Sequence, residues 1–195
     1  MNYLAHAYLS FGDPEVVTGN LISDFVKGKK KFDYPPRILA GINLHRAIDT
    51  FTDEHVVNKQ AAVIFKPAYG LYSSAFIDVV YDHFLAVELS GKGEKQFELF
   101  TQTVYGYVSR FTGMLPATFN NIFPYMKQHN WLFNYQYSWG IERSMEGLVH
   151  RAKYISDSKT AFRLFTEHYE ELHAAYNIFF PELYKYSLEK FSDIH

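Results

Sequence analysis

Cysteine is absent from this chain of 195 residues. That excludes disulfides, thiolate zinc sites and cysteine nucleophiles, so any metal ion must find nitrogen and oxygen donors. Such donors are plentiful, with nine histidines and 21 aspartates and glutamates. Long apolar runs are also missing, and no stretch approaches the roughly 20 residues that a membrane span requires. Met1 to Ser10 lacks the basic start and apolar run of a signal peptide. These absences suit a cytoplasmic location with no membrane partner. Positive charge is scarce as well: a net charge of −2 argues against a general polyanion binder, and hence against a nucleic-acid partner.

Apolar and aromatic side chains are present in quantity. Hydrophobic residues make up 48% of the chain and aromatics 18%, enough for one well-buried core. The aromatics read as filling a helical core and its rim, with a ligand cage as the alternative. Helical periodicity dominates, and no run alternates as a strand would. A short helix is expected over residues 2–10, followed after Gly12-Asp13-Pro14 by a second that reaches about Val26 and stops at Gly28. Pro36 suits the first position of a helix ending near Phe51. Further helices are expected at about 54–66, 71–90, 94–111, from Pro116 to near Gln128, at 135–154 and 158–178, and after Pro181. No linker or repeat divides the series. The fold class expected is all-α, a single helical-bundle domain over residues 1–195.

Two of these helices carry acids and histidines where apolar residues belong. His45 and Asp49 are four apart, as are Asp78 and Asp82, so each pair shares a helical face. The second pair, with His83, lies among Phe76, Ile77, Val79, Val80, Tyr81, Phe84 and Leu85. Buried carboxylates are costly unless a cation compensates them, and a metal ion does so most simply. His6 and Asp24 lie in two further segments that can converge on the same place. The expected ligands are therefore drawn from His6, Asp24, His45, Asp82 and His83, around a hard or borderline cation such as Mn²⁺ or Mg²⁺. Asp49 or Asp78 would position a water or take its proton, and the fork of Arg46 would hold phosphoryl oxygens. Plainer readings stand beside these. Taken alone, His6 reads more often as a packed or exposed histidine, and His45 with Asp49 reads equally as a surface pair worth a few tenths of a kcal/mol. Arg46 has possible partners in Asp49 and Asp53 on its own helix. His55, His129, His150, His168, His173 and His195 have no comparable surroundings and receive no role. Lys27, Lys29, Lys30 and Lys31 form the one strong positive cluster, either a solvated loop or a dock for an acidic partner beside Asp24.

The segments Asn2 to His6, Gly19 to Val26, Gly41 to Asp53 and Asp78 to Leu85 together resemble the acyl carrier protein phosphodiesterase family. Asn130-Trp131-Leu132, Arg143 and Phe179-Phe180-Pro181 continue the likeness. The resemblance implies a divergent relative of the helical HD-domain phosphohydrolases. Its implied reaction is cleavage of the phosphodiester between 4′-phosphopantetheine and a serine of holo-acyl carrier protein, with Mn²⁺ favoured. The HD signature is His then Asp, whereas Asp82-His83 runs the other way, so HD ligand roles do not transfer one for one. Two other functions fit the residues: an HD-like nucleotide phosphohydrolase, and a non-enzymatic helical module binding an acyl or peptide ligand. Oligomeric state is not legible. If the four lysines are not the docking surface, Arg37, Arg143 and Arg151 are next.

Overall fold

Helix start signals in the sequence are used where expected. Asp13 accepts hydrogen bonds from the backbone N–H groups of Glu15 and Val16 and opens a helix with Pro14 at its first position. Pro36 likewise begins the next long helix. The computed structural model describes residues 1–194, all-helical with no strand among them. His195 lies outside the described residues. The helices are α1 (Tyr3–Tyr8), α2 (Pro14–Ile22), α3 (Pro36–Glu54), α4 (Val56–Ala62), α5 (Lys66–Tyr69), α6 (Ser73–Ser109), α7 (Ala117–Gln128), α8 (Trp131–Asn134), α9 (Ser138–Arg151), α10 (Lys159–Glu167) and α11 (Tyr169–Ser192). They enclose one continuous apolar core in which Leu4, Ile42, Ile48, Phe76, Tyr81 and Phe179 are fully buried.

Several boundaries differ from the sequence reading. The second helix ends at Ile22, and Ser23–Phe25 tighten into a 3₁₀ turn that presents Asp24. The stretch expected as one helix over 158–178 divides at His168, whose φ of −111° and ψ of 22° leave the helical region. Pro181, expected to start a new helix, lies inside α11. An interior proline costs about 3 kcal/mol. Buried Phe179, Phe180 and Leu183 on the turns around it hold the helix straight through by tertiary packing. Conversely, the break expected at Gly91-Lys92-Gly93 is a kink inside α6, where Gly93 is non-helical.

α2 and α3 cross with their backbones in contact. A Cβ on Gly19 would collide with the Ile38 carbonyl, and one on Gly41 with the Val16 carbonyl. Only glycine permits this approach. The crossing brings the turn after α2, with Asp24, against the face of α3 that carries His45 and Asp49.

Candidate metal centre

α1, with six residues, is less than two turns long and cannot hold itself in place. Two neighbours fix it. Asp82 on α6 accepts the backbone N–H groups of Leu4 at 2.7 Å and Ala5 at 3.0 Å, capping the helix from outside. Asn20 on α2 donates from Nδ2 to the His6 carbonyl and the Ser10 hydroxyl, both at 3.0 Å. So held, α1 delivers the buried ring of His6 onto the ring of His45, stacked with centroids 3.9 Å apart.

Below the stack lies Asp49. Its Oδ1 is 3.3 Å from His6 Nε2 and its Oδ2 3.0 Å from His45 Nε2. Asp24 Oδ1 approaches the same His45 nitrogen at 3.1 Å, with its side chain 72% exposed at the mouth of the site. The α-amino group of Met1 sits 3.4 Å from Asp49 and 3.1 Å from Asp78. Ligand atoms of His6, His45 and Asp49 all lie within 4.8 Å of one another. A cavity of about 10 Å³ opens among Met1, His6, Asn20, Asp24 and His45, room for about one water or ion. The buried Nδ1 atoms of both imidazoles and Oδ1 of Asn20 have no protein partner among the described residues.

The charges are arranged around one proton. Burial opposes charging His45, but hydrogen bonds to Asp24 and Asp49 overcome it and carry its pKa up to about 9. Burial and the neighbouring His45 cation push His6 down to about 4, so the stack carries a single charge near neutrality. Desolvation raises Asp49, yet the two imidazoles hold it well below the ordinary carboxylate range. The hydrogen bond to His45 lowers Asp24 as well. Burial raises Asp78, opposed by the Met1 ammonium, and pushes Asp82 up to about 7 against its two amide donors. The donor set thus already gathers a cation between carboxylates, which fits a divalent ion bound by nitrogen and oxygen.

The expected residues fall into groups. His6, Asp24, His45 and Asp49 meet. Asp78 reaches the cluster through Met1, and Asp82 spends both oxygens on the cap of α1. His83, one position on, donates from Nδ1 to the Tyr135 carbonyl at 2.7 Å and packs against Phe165 and Tyr169. It does not join the imidazole stack. Arg46 donates to the Val26 carbonyl at 3.1 Å and forms no ion pair among the described residues, so neither Asp49 nor Asp53 captures it. Lys27, Lys29 and Lys30 are exposed, while Lys31 is half-buried and bonded to Asn43. Arg37 is paired with Asp13. Sequence reasoning gave no role to Asn20 or the Met1 amine. The buried-polar character of Asn20 shows only once α1 and α2 are seen to pack.

A profile of the acyl carrier protein phosphodiesterase family matches residues 1–183. The chain is 29% identical over 191 residues to the acyl carrier protein phosphodiesterase of Yersinia pestis, covering 97% of this chain and 99% of that protein. It is 29% identical over 193 residues to the protein of that name in Klebsiella pneumoniae strain 342, with the same coverage. The counterpart from Photorhabdus laumondii is 28% identical over 192 residues, or 97% of this chain and 94% of that one. No solved structure matches the chain. With the likeness running almost end to end through the helices that build the cluster, the chain belongs to the acyl carrier protein phosphodiesterase family, an enzyme family of phosphoric diester hydrolases.

Proposed function

We propose that this enzyme hydrolyses the phosphodiester joining 4′-phosphopantetheine to a serine of holo-acyl carrier protein, giving apo-acyl carrier protein and 4′-phosphopantetheine. The reaction depends on a divalent cation, Mn²⁺ by preference, with Mg²⁺ or another divalent ion as substitute. The observation that carries this reading is the convergence of His6, His45 and Asp49 within ligand distance of one another, beside a cavity sized for one ion. These three would hold the cation, with Asp24 at the mouth completing the carboxylate donors. Bound there, it would supply Lewis-acid polarisation of the phosphoryl group and a water acidified enough to attack phosphorus.

The chain's own residues do the rest. Arg46 spends one N–H on Val26 and keeps further donors for phosphoryl oxygens as negative charge develops there. Asp78 holds the Met1 ammonium and through it orients Asp49. Asp82 keeps α1, and therefore His6, in register; it is a positioning residue. His83 braces the neighbouring aromatic layer. Lys27, Lys29, Lys30 and Lys31, on the 3₁₀ segment Gly28–Asp33 and the residue before it, would receive the acidic surface of the carrier protein next to Asp24.

Incubating the enzyme with holo-carrier protein and Mn²⁺, then weighing the product, tests the reading. The carrier should lose the mass of phosphopantetheine, a chelator should stop the loss, and His45→Ala and Asp49→Ala should each abolish it. Unchanged holo-protein, or full turnover in excess chelator, rejects the proposal. Hydrolysis of nucleotides with holo-carrier protein untouched would instead select the nucleotide phosphohydrolase.

A further inference from the structure

A second cavity, of about 330 Å³, opens between α8, α9 and the start of α1. It shares a wall with the metal centre, because Asn2 and Tyr3 line both this cavity and the small one beside His6, Asp24 and His45. The sequence fixes its shape by local devices. Asn130 takes the left-handed conformation, φ 45°, to start α8, and the Tyr105 hydroxyl accepts the Leu132 N–H at 2.9 Å. Gly140 lets α9 turn back tightly, since a Cβ there would collide with the Asn134 carbonyl. Trp131, Tyr135 and Trp139 form aromatic walls, and the Arg143 guanidinium lies 5.3 Å from the Trp139 ring centroid. Arg151 and Asn134 add donors, and none of the described residues lining the cavity is acidic.

Such a cavity selects a ligand with an apolar body and several hydrogen-bond acceptors but no positive charge. Its volume lies at the lower end of the roughly 300–1,000 Å³ typical of small-molecule sites. We propose that it receives the uncharged arm that stays on the phosphoryl group when the serine oxygen leaves. Under the function proposed above, on which this inference rests, that arm is the pantetheine moiety. Its amide carbonyls and hydroxyls would take hydrogen bonds from the arginines and Asn134, and its methyl and methylene groups would lie against the tryptophan and tyrosine rings. With the arm seated, the phosphoryl group comes to the Asn2–Tyr3 wall, beside the imidazoles. The carrier protein is too large for this concave site and stays outside, at the lysine segment.

Two features of the chain make this testable by binding alone. Trp131 and Trp139 are its only tryptophans, so intrinsic tryptophan emission reports on this cavity and nowhere else. Gly147 lines the cavity, and a Cβ there would meet only the flexible tip of Arg151 at 3.6 Å. Gly147→Phe therefore fills the cavity without displacing backbone, while Gly147→Ala leaves it open. Titrating the full-length protein with pantetheine should give a saturable emission change in wild type and in Gly147→Ala. In Gly147→Phe binding should weaken by roughly tenfold or more, and KM for holo-carrier protein should rise by a similar factor. Should Gly147→Phe not fold, Trp139→Ala, whose side chain is half-exposed, should weaken pantetheine binding as read by Trp131. Absence of a saturable change in wild type, undiminished affinity in Gly147→Phe (or in Trp139→Ala where that replaces it), or the whole change reproduced by inorganic phosphate would overturn the assignment. Pantetheine binding blocked by Gly147→Phe, in a protein that leaves holo-carrier protein intact, would support the cavity while rejecting the substrate proposed above.

Discussion

The contacts of His45 with Asp24 at 3.1 Å and Asp49 at 3.0 Å show how three side chains that are ordinary one by one set one another's charge. Each hydrogen bond favours the charged form of its partner, so the imidazole rises and the carboxylates fall. Asp82 shows the opposite case, a carboxyl whose burial outweighs its two amide donors. Its pKa moves from 3.8 in the unfolded chain up to about 7 in the folded one. The native state therefore keeps the proton over a range where the unfolded chain has released it, so this residue makes stability fall as pH rises from about 4 through about 7. Asp82→Asn keeps an acceptor for α1 but cannot ionise. In metal-free protein, wild type should lose stability relative to Asp82→Asn across that range, as read by melting temperature at successive pH values. A difference between the two that stays constant with pH would reject the account.

At the level of elements, the crossing of α2 and α3 decides whether there is a site at all. Gly41→Ala places a methyl against the Val16 carbonyl and forces the helices apart. Overpacking of this kind costs about 1–3 kcal/mol, and here it also moves His45, four residues along α3, away from Asp24. A lowered denaturant midpoint together with lost hydrolysis is the expected outcome. Gly91→Ala, at a glycine with open space around it, should be neutral or gain about 0.5–1 kcal/mol. Equal behaviour of the two variants would mean that the close crossing is not required. The spacing of His45 and Asp49 on α3 was legible because an i,i+4 pair shares a face in any helix. The continuation of α11 through Pro181 was not, because local cost there is outweighed by burial of residues on both sides.

On the whole molecule the candidate metal centre and the 330 Å³ cavity share the Asn2–Tyr3 wall, and the lysine segment follows Asp24 in the chain and is tied to α3 through the Lys31–Asn43 hydrogen bond. Exposed lysines act at a distance through charge and are screened by salt. Lys29→Glu with Lys30→Glu should raise KM for holo-carrier protein, most strongly at low salt, with turnover at saturation little changed. An unaltered KM at low ionic strength would return the segment to the role of a solvated loop. Metal should also be read in global stability, since an ion that binds only the folded chain stabilises it. At about a hundredfold excess over Kd the melting temperature should rise by roughly 5–10 °C. Melting unchanged by saturating Mn²⁺ would show that the acids are already compensated by His45 and Met1.

The sequence by itself determined the all-α class, most helix starts, and the set of segments from which a site could be built. These depend on periodicity, caps and prolines, which act within a few residues. It also held the resemblance to the family, because that rests on ordered motifs. Tertiary structure decided which acids meet the imidazoles. Asp82 and His83 are adjacent in sequence, yet one caps α1 and the other turns to the Tyr135 carbonyl, since neighbours on a helix point about 100° apart. His6 joins His45 only because Asn20 and Asp82 pin a helix too short to persist alone, a result of long-range hydrogen bonds that no local pattern encodes.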